Sequence, residues 1–313
     1  MLRAIVLGLV QGLTEFLPVS SSGHLVVVPY LLSWQPPGLA FDVALHAGTL
    51  VALLVYFAAD LWYLATRSLG MGEVVAGEVQ RARRTVTLLA LGSLPAVLVG
   101  LLFEGFFAEA FTQPVWTAGF FIVTAALLYA AELVRRRRAA HLLRPLPSDR
   151  GKVQARSNAG GAGTAVATDE AAQFDPGRDE TTVGWIDSLV IGGAQALALF
   201  PGLSRSGLTI AFGMFRGLSR VAAARFSFLL AIPAVAGAIV LELPDVFAGD
   251  TGGFSGPEVA VGVAVSALSG YWAVRYLLRF VTTDELTGFA RYLVLAALLV
   301  VVASLWIGRV SVV

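Results

Sequence analysis

Six apolar runs, at about 41–63, 85–104, 114–134, 220–242, 257–280 and 288–307 of this 313-residue chain, are each long enough to cross a hydrocarbon core of roughly 30 Å at about 1.5 Å per residue. In lipid every backbone N–H and C=O must find its partner within the protein, so runs of this length span as helices. Composition agrees: 57% hydrophobic residues, 14% charged residues and a mean hydropathy of +0.78 lie outside the range of soluble domains. The chain therefore reads as an all-α polytopic membrane protein with six transmembrane helices. A net charge of +1 without a basic stripe argues against nucleic acid as a partner, because phosphate-backbone affinity needs clustered Lys and Arg. The absence of cysteine excludes disulfides, thiolate chemistry and Cys-ligated metals. Arg3 and the apolar residues after it resemble a signal-peptide core, but the run carries Gln11 and Glu15 and recurs in mid-chain, so it reads as part of the fold.

Two further segments, about 2–33 and 185–218, are each a pair of short apolar arms joined by a Pro/Ser/Gly loop. Neither arm can cross alone, and irregular backbone at membrane depth needs protein or a water-filled cavity around it, which predicts two re-entrant helix–loop–helix hairpins. The two loops are one loop written twice. Aligned without a gap, Gln11, Leu13, Phe16, Ser20, Ser22 and Gly23 coincide with Gln195, Leu197, Phe200, Ser204, Ser206 and Gly207. Where they differ, the first copy supplies Glu15 and His24 and the second Arg205 and Thr209. Duplicated membrane units of this kind place their polar loops at a common site.

Short cytoplasmic loops carry the excess Lys and Arg. Arg67, Arg81, Arg83 and Arg84 follow the first span and Arg135 to Arg138 follow the third, so both of these connections read as cytoplasmic. The connections at 34–40, 105–113 and 243–256 hold no Lys or Arg, and the last two carry Glu109, Asp245 and Asp250; they read as outward-facing. Three crossings then separate the hairpins, which enter from opposite faces as an inverted repeat with loop tips converging near the midplane. The expected organisation is a first repeat over 1–134, a cytoplasmic basic and disordered linker over 135–184, and a second, inverted repeat over 185–313. The Gly/Ala/charged stretch at 139–184 is the part of that linker too poor in apolar surface to order itself.

Gln11 and Glu15 are four apart and share one helix face. A carboxylate in lipid must be paired or hold a cation, so Glu15 is a divalent-metal ligand, a proton acceptor, or the partner of Arg205 in an ion pair. Ser20, Ser21 and Ser22, like Ser204 and Ser206, precede the second arm of a hairpin. Serine caps and freed N–H groups at a helix start suit an anion, and a guanidinium fork such as that of Arg205 matches phosphate oxygens two at a time. His24, one helical turn beyond the serines, allows a nucleophile with an adjacent base. Asp42 and His46 read as interfacial or supporting groups, and Gly8 with Gly12 as a close-packing pair.

At these residues the chain resembles the bacitracin-resistance type of undecaprenyl-pyrophosphate phosphatase. That family's two signatures stand here as Gln11 to His24 and as Pro201 to Thr209, and the likeness continues through Phe41 to Thr49 and the span layout. The resemblance implies removal of the terminal phosphate from a polyprenyl diphosphate, recycling the cell-wall lipid carrier. It also implies dependence on Mg²⁺ or Ca²⁺, a site reached from the outer face of the bacterial inner (plasma) membrane, and a homodimer. Carried over, Glu15 serves metal or base, Ser21 or His24 attacks, and Arg205, itself counted catalytic, holds the diphosphate with Ser204, Ser206 and Thr209; Gln11, Ser20 and Ser22 stand beside them as further substrate contacts. Gln11 departs from a position often occupied by Glu, and the linker is unusually long. A transporter or flippase of a phosphorylated lipid or phosphate anion remains the alternative, because half-helices meeting in a membrane also build carriers.

Overall fold

A computed structural model describes residues 1–71, 75, 77–110, 114–142, 175–248 and 251–310. Within them the chain forms eleven α-helices: α1 (Leu2–Phe16), α2 (Ser21–Leu31), α3 (Leu39–Tyr56), α4 (Ala58–Ser68), α5 (Glu78–Ala110), α6 (Pro114–Leu142), α7 (Trp185–Leu197), α8 (Arg205–Phe215), α9 (Arg220–Ala248), α10 (Gly256–Thr283) and α11 (Thr287–Val310). Six of these, α3, α5, α6, α9, α10 and α11, are long and apolar enough to cross a membrane. The two duplicated segments fold as pairs of short helices, α1–α2 and α7–α8, each joined across a serine-capped loop.

Two boundaries differ from those read in the sequence. The first run, 41–63, divides at Phe57 (φ −95°, ψ 17°), so the spanning helix ends at Tyr56 and α4 begins. The break places Phe57 fully inside, edge-on to Phe228 of α9 with centroids 6.4 Å apart, while Asp60 of α4 reaches Arg225 Nη2 at 2.8 Å. The third run continues to Leu142 and takes in the basic cluster read as a loop. Helix continues where three of these four arginines, Arg135, Arg136 and Arg138, find partners in the protein. Arg135 is buried and donates to Glu132 Oε2 (2.8 Å) and Glu285 Oε1 (2.7 Å), while Arg138 caps the C-terminal carbonyls of Met214 and Phe215 at 2.8 Å each.

The stretch read as a linker is likewise narrower among the described residues. Residues 139–142 belong to α6, and 175–184, with a 3₁₀ turn at Glu180–Thr182, are tied to the second half. Asp175 accepts from the Arg220 amide at 2.8 Å, Arg178 bonds Asp187 at 2.8 Å, and Glu180 bonds Arg225 at 2.8 Å. Residues 143–174 and Asp250 lie outside the described residues, and of Glu109 and Asp245 only the backbone is described.

Packing is reciprocal between the halves. Helix α1 lies along α10 and α7 along α5; α3 also contacts α10, and α9 contacts α5. Glycines permit the closest approaches. A methyl group at Gly8 would lie 2.6 Å from Gly262 O and one at Gly12 would lie 2.5 Å from Ser266 O, so the predicted close-packing pair is observed. Gly192, which aligns with Gly8 in the duplicated sequence, meets the backbone of Gly92 in the same manner. Small residues in this role let helix backbones touch where no hydrophobic difference between protein and lipid drives association.

Candidate active site

Both duplicated loops come together. Helix α1 ends where Leu17 turns extended ahead of Pro18. Ser20 then takes a left-handed φ of 71° and caps α2, its Oγ accepting from the Gly23 amide at 3.3 Å. Ser204 caps α8 in the same way, accepting from the Gly207 amide at 3.0 Å. Cross-bonds stitch one loop to the other. Ser20 Oγ donates to Leu203 O (3.3 Å), Ser206 Oγ donates to Leu17 O (3.1 Å), and the Gly202 amide donates to Ser22 Oγ (3.3 Å). A buried loop must satisfy its own backbone, and here each copy does so for the other.

At the junction lies Glu15, 7% exposed, with both carboxylate oxygens engaged. Arg205 Nη2 donates to Oε1 at 2.6 Å. Oε2 accepts from Ser21 Oγ and from Gln11 Nε2 at 3.0 Å, and His46 Nε2 lies 3.7 Å away. Two atoms are conspicuous for what they lack: Arg205 Nη1 and Gln11 Oε1 are buried without a hydrogen-bond partner. An unsatisfied buried guanidinium N–H costs stability, and it is the donor that an incoming anion would complete.

A cavity of about 630 Å³ opens over this junction, its polar end formed by Glu15, Ser21, Ser22, His46, Gln195, Ser204 and Arg205. Of the residues singled out in the sequence, Glu15, Ser21, Ser22, Ser204 and Arg205 therefore face one space. Gln11, Ser20, Ser206 and Thr209 do not line it. Ser20 and Ser206 are spent on the loop cross-bonds, and Thr209 Oγ1 is held by Arg205 O (2.8 Å) and Ser227 Oγ (2.5 Å). His24 also faces elsewhere. Its Nδ1 meets Ser20 O at 2.7 Å and its Nε2 meets Tyr292 Oη at 2.7 Å, with the Tyr292 ring stacked on it at 5.7 Å. A carbonyl only accepts, so Nδ1 carries the proton and Nε2 accepts from the tyrosine. Ser21 bonds Glu15, and His24 is not its hydrogen-bonded partner.

Sequence reasoning underrated two groups. His46 was assigned a supporting place, yet it lines the cavity beside Glu15, its Nδ1 donating to Asp42 O at 2.8 Å. An ionisable side chain inside a spanning helix was itself the signal. Gln195 was noted only as the counterpart of Gln11. It is buried in the cavity wall with both amide atoms unpartnered.

Residues 4–299 match the family described as bacitracin resistance protein BacA. The chain belongs to the BacA family. An undecaprenyl-diphosphatase 2 of Stutzerimonas stutzeri is 38% identical over 97% of this chain and 98% of its own length. An undecaprenyl-diphosphatase of Rubrobacter xylanophilus is 39% identical over 93% of this chain and 94% of its own, and one of Mycobacterium avium is 37% identical over 94% of each. The matched residues cover both loops, five of the six membrane-length helices and the first part of the sixth, so the Glu15–Arg205 junction lies inside the BacA region.

Proposed function

We propose that this protein hydrolyses a polyprenyl diphosphate such as undecaprenyl diphosphate to the monophosphate and inorganic phosphate, returning the cell-wall lipid carrier to use. One observation carries the proposal: a single buried carboxylate, Glu15, holds a serine hydroxyl on one oxygen and an arginine on the other, at the polar end of a cavity with apolar walls. Glu15 takes the proton of Ser21 as its Oγ attacks the terminal phosphorus. The bond from phosphorus to the bridging oxygen breaks, and the lipid monophosphate leaves with that electron pair. Water then cleaves the phosphoserine, returning the proton to Ser21 and releasing phosphate. Arg205, through the nitrogen that Glu15 leaves free, neutralises the phosphoryl oxygens where charge accumulates. The Ser204 loop and its helix start face the same anion. Ser21 is preferred to His24 as the attacking group because its hydroxyl already touches a base and faces the cavity.

A divalent cation suits this chemistry in part. Glu15 and the unpartnered carbonyl oxygen of Gln11 are hard oxygen donors, and Mg²⁺ is commonly held by one or two protein oxygens plus substrate phosphate. Among the described residues no group of three or more His, Asp or Glu side chains converges as a protein cage. Gln11 is fully buried behind Glu15 and does not line the cavity, so Mg²⁺ or Ca²⁺ would be held by Glu15 together with the diphosphate, supplying charge neutralisation of the phosphoryl oxygens.

The duplicated segments are read as re-entrant hairpins in an inverted repeat, with the cavity reached from the outer face. Reciprocal packing of α1 on α10 and α7 on α5 supports this, as does the matched use of Gly8 and Gly192. A homodimer belongs to the same proposal. A carrier would need the arginine and the helix starts but has no use for a serine poised on a carboxylate. Phosphate release from a polyprenyl diphosphate by purified protein in detergent tests the function: release lost in Ser21→Ala with substrate binding retained supports hydrolysis, and no release by the unmodified protein refutes it.

A further inference from the structure

Beyond its polar end the cavity continues as an apolar cleft between α5 and α9. One wall is Ala96, Val97, Gly100 and Leu101; the other runs from Ala234 through Gly237 to Leu241. Val97, Leu101, Val240 and Leu241 are exposed, so the cleft opens sideways on the apolar surface of two membrane-length helices. Leu199 joins the wall at the position that aligns with Glu15 in the duplicated loop. At this position the first copy gives the cavity a carboxylate and the second an apolar surface.

Gly100 and Gly237 are the informative residues of this cleft. A glycine inside a helix is less stable than alanine, so it needs a reason. Neither has a left-handed φ. Neither is required by close packing: a methyl at Gly100 would find only Leu199 Cδ1, at 3.9 Å, and one at Gly237 would find nothing within 4 Å. Gly8, Gly12 and Gly192 are the opposite case, with a neighbouring helix occupying the space a side chain would take. Gly100 and Gly237 line the cleft, and a larger side chain at either would enter its open space.

We propose that the α5–α9 cleft holds the first isoprene units of the substrate's polyprenyl tail, and that Gly100 and Gly237 set the preference for long-chain over short diphosphates. The proposal rests on the phosphatase reading and adds the tail's route and the residues that select it. The occupant follows from covalent continuity. A diphosphate held at Arg205 must send its chain outward through an apolar passage that ends in hydrocarbon, and the cleft and the polar end are one cavity. Binding energy from the tail, remote from the reacting phosphorus, then positions the diphosphate.

The experiment compares kcat/KM for a C55 polyprenyl diphosphate and a C5 prenyl diphosphate in the unmodified protein, in Gly100→Leu and in Gly237→Leu. Gly119→Leu, at an exposed helical glycine with open space around it and no place in the cavity, is the control. The expected result is a fall of roughly tenfold or more in the C55-to-C5 ratio for each cleft variant, through KM, the effect that hydrophobic pockets show for one or a few carbon groups. Gly119→Leu should leave both substrates unchanged. Equal losses on both substrates, or an unchanged ratio, would overturn the assignment. Should the leucine variants fail to fold, the chain's lack of cysteine gives a second route. In Gly237→Cys the introduced thiol should be alkylated in the folded protein, and C55 monophosphate should slow that reaction where inorganic phosphate does not; no protection by the long chain rejects the tail route. Unmodified protein that releases phosphate from neither diphosphate would instead sink the phosphatase reading, and the protection experiment would still decide whether the cleft holds a prenyl chain.

Discussion

Arg205→Lys isolates the two-pronged use of the guanidinium. One nitrogen, Nη2, is committed to Glu15 Oε1 at 2.6 Å, and the other, Nη1, is buried without a partner. A lysine keeps the charge but is a compact ammonium that cannot span both directions in fixed geometry. It can serve Glu15 or the phosphate, not both as arginine does. The loss is then about one charge-assisted hydrogen bond, roughly 1.5–3 kcal/mol. At about 1.4 kcal/mol per tenfold that amounts to a drop of roughly 10- to 150-fold in kcat/KM. Arg205→Ala differs in kind. It strands the Glu15 carboxylate in a site where Glu15 is 7% and Arg205 15% exposed, and breaking a buried pair from one side costs about 3–5 kcal/mol. The alanine variant should therefore lose activity and melt earlier in detergent, whereas the lysine variant should lose activity with a much smaller shift in Tm. Phosphate release and thermal unfolding measured on the same preparations read both quantities. Near-normal turnover in Arg205→Lys would refute the free-prong argument, and an unchanged Tm in Arg205→Ala would refute the buried ion pair.

Three further outcomes are expected. Glu15→Gln should remove most activity while the protein stays folded, because the amide neither accepts the Ser21 proton nor holds a hard cation as well; chelator titration of the unmodified protein checks the metal part, and activity indifferent to chelator would end it. Ser21→Ala should lower kcat by on the order of 10² or more with binding little changed, and His24→Ala should do less if its tie to Tyr292 makes it a support for the loop; rates and binding measured separately decide the order, and a reversed ranking would return the attacking role to His24. Gly8→Ala should destabilise by about 1–3 kcal/mol through overpacking, since the added carbon would lie 2.6 Å from Gly262 O, whereas Gly119→Ala should not; equal Tm values would show that α1 and α10 are not held as described.

The helical class and six apolar spans were legible because period and length are properties of the chain alone. Convergence of the two loops was legible because the duplicated sequence marked both. What escaped was set by partners distant in sequence. Arg135 and Arg138 read as a solvated basic run, yet their partners are Glu132 and Glu285 for the first and the carbonyls at the end of α8 for the second. The helix break at Phe57 depends on Phe228 and Arg225, and Asp175 to Glu180 are ordered by arginines of α9 and by Asp187. Within the site, residue types were read correctly as polar and clustered, but which hydroxyls face the cavity was not. Thr209 and Ser206 have the same chemistry as Ser21 and Ser204; only the third dimension assigns Ser206 to bonding the other loop and Thr209 to bonding Ser227 of α9, and Ser21 and Ser204 to the cavity.

The duplication also explains why the two copies had to diverge where they did. Ser21 and Arg205 are aligned positions, each the first residue of a helix capped by the preceding serine. Both reach the same carboxylate, Ser21 on Oε2 and Arg205 on Oε1. Identical loops meeting tip to tip would bring two carboxylates, or two guanidinium groups, into one buried space. Like charges in such a space disfavour ionisation of one another, and neither would be satisfied. Replacing one carboxylate by Leu199 and one of the aligned helix-start residues by arginine turns that repulsion into a single pair, with one serine left beside it. A carboxylate between a hydroxyl and a cation can take a proton from the first while the second awaits an anion. The asymmetry thus converts a symmetric junction that would be merely unstable into one with a direction: a hydroxyl on one side of the carboxylate, a guanidinium on the other.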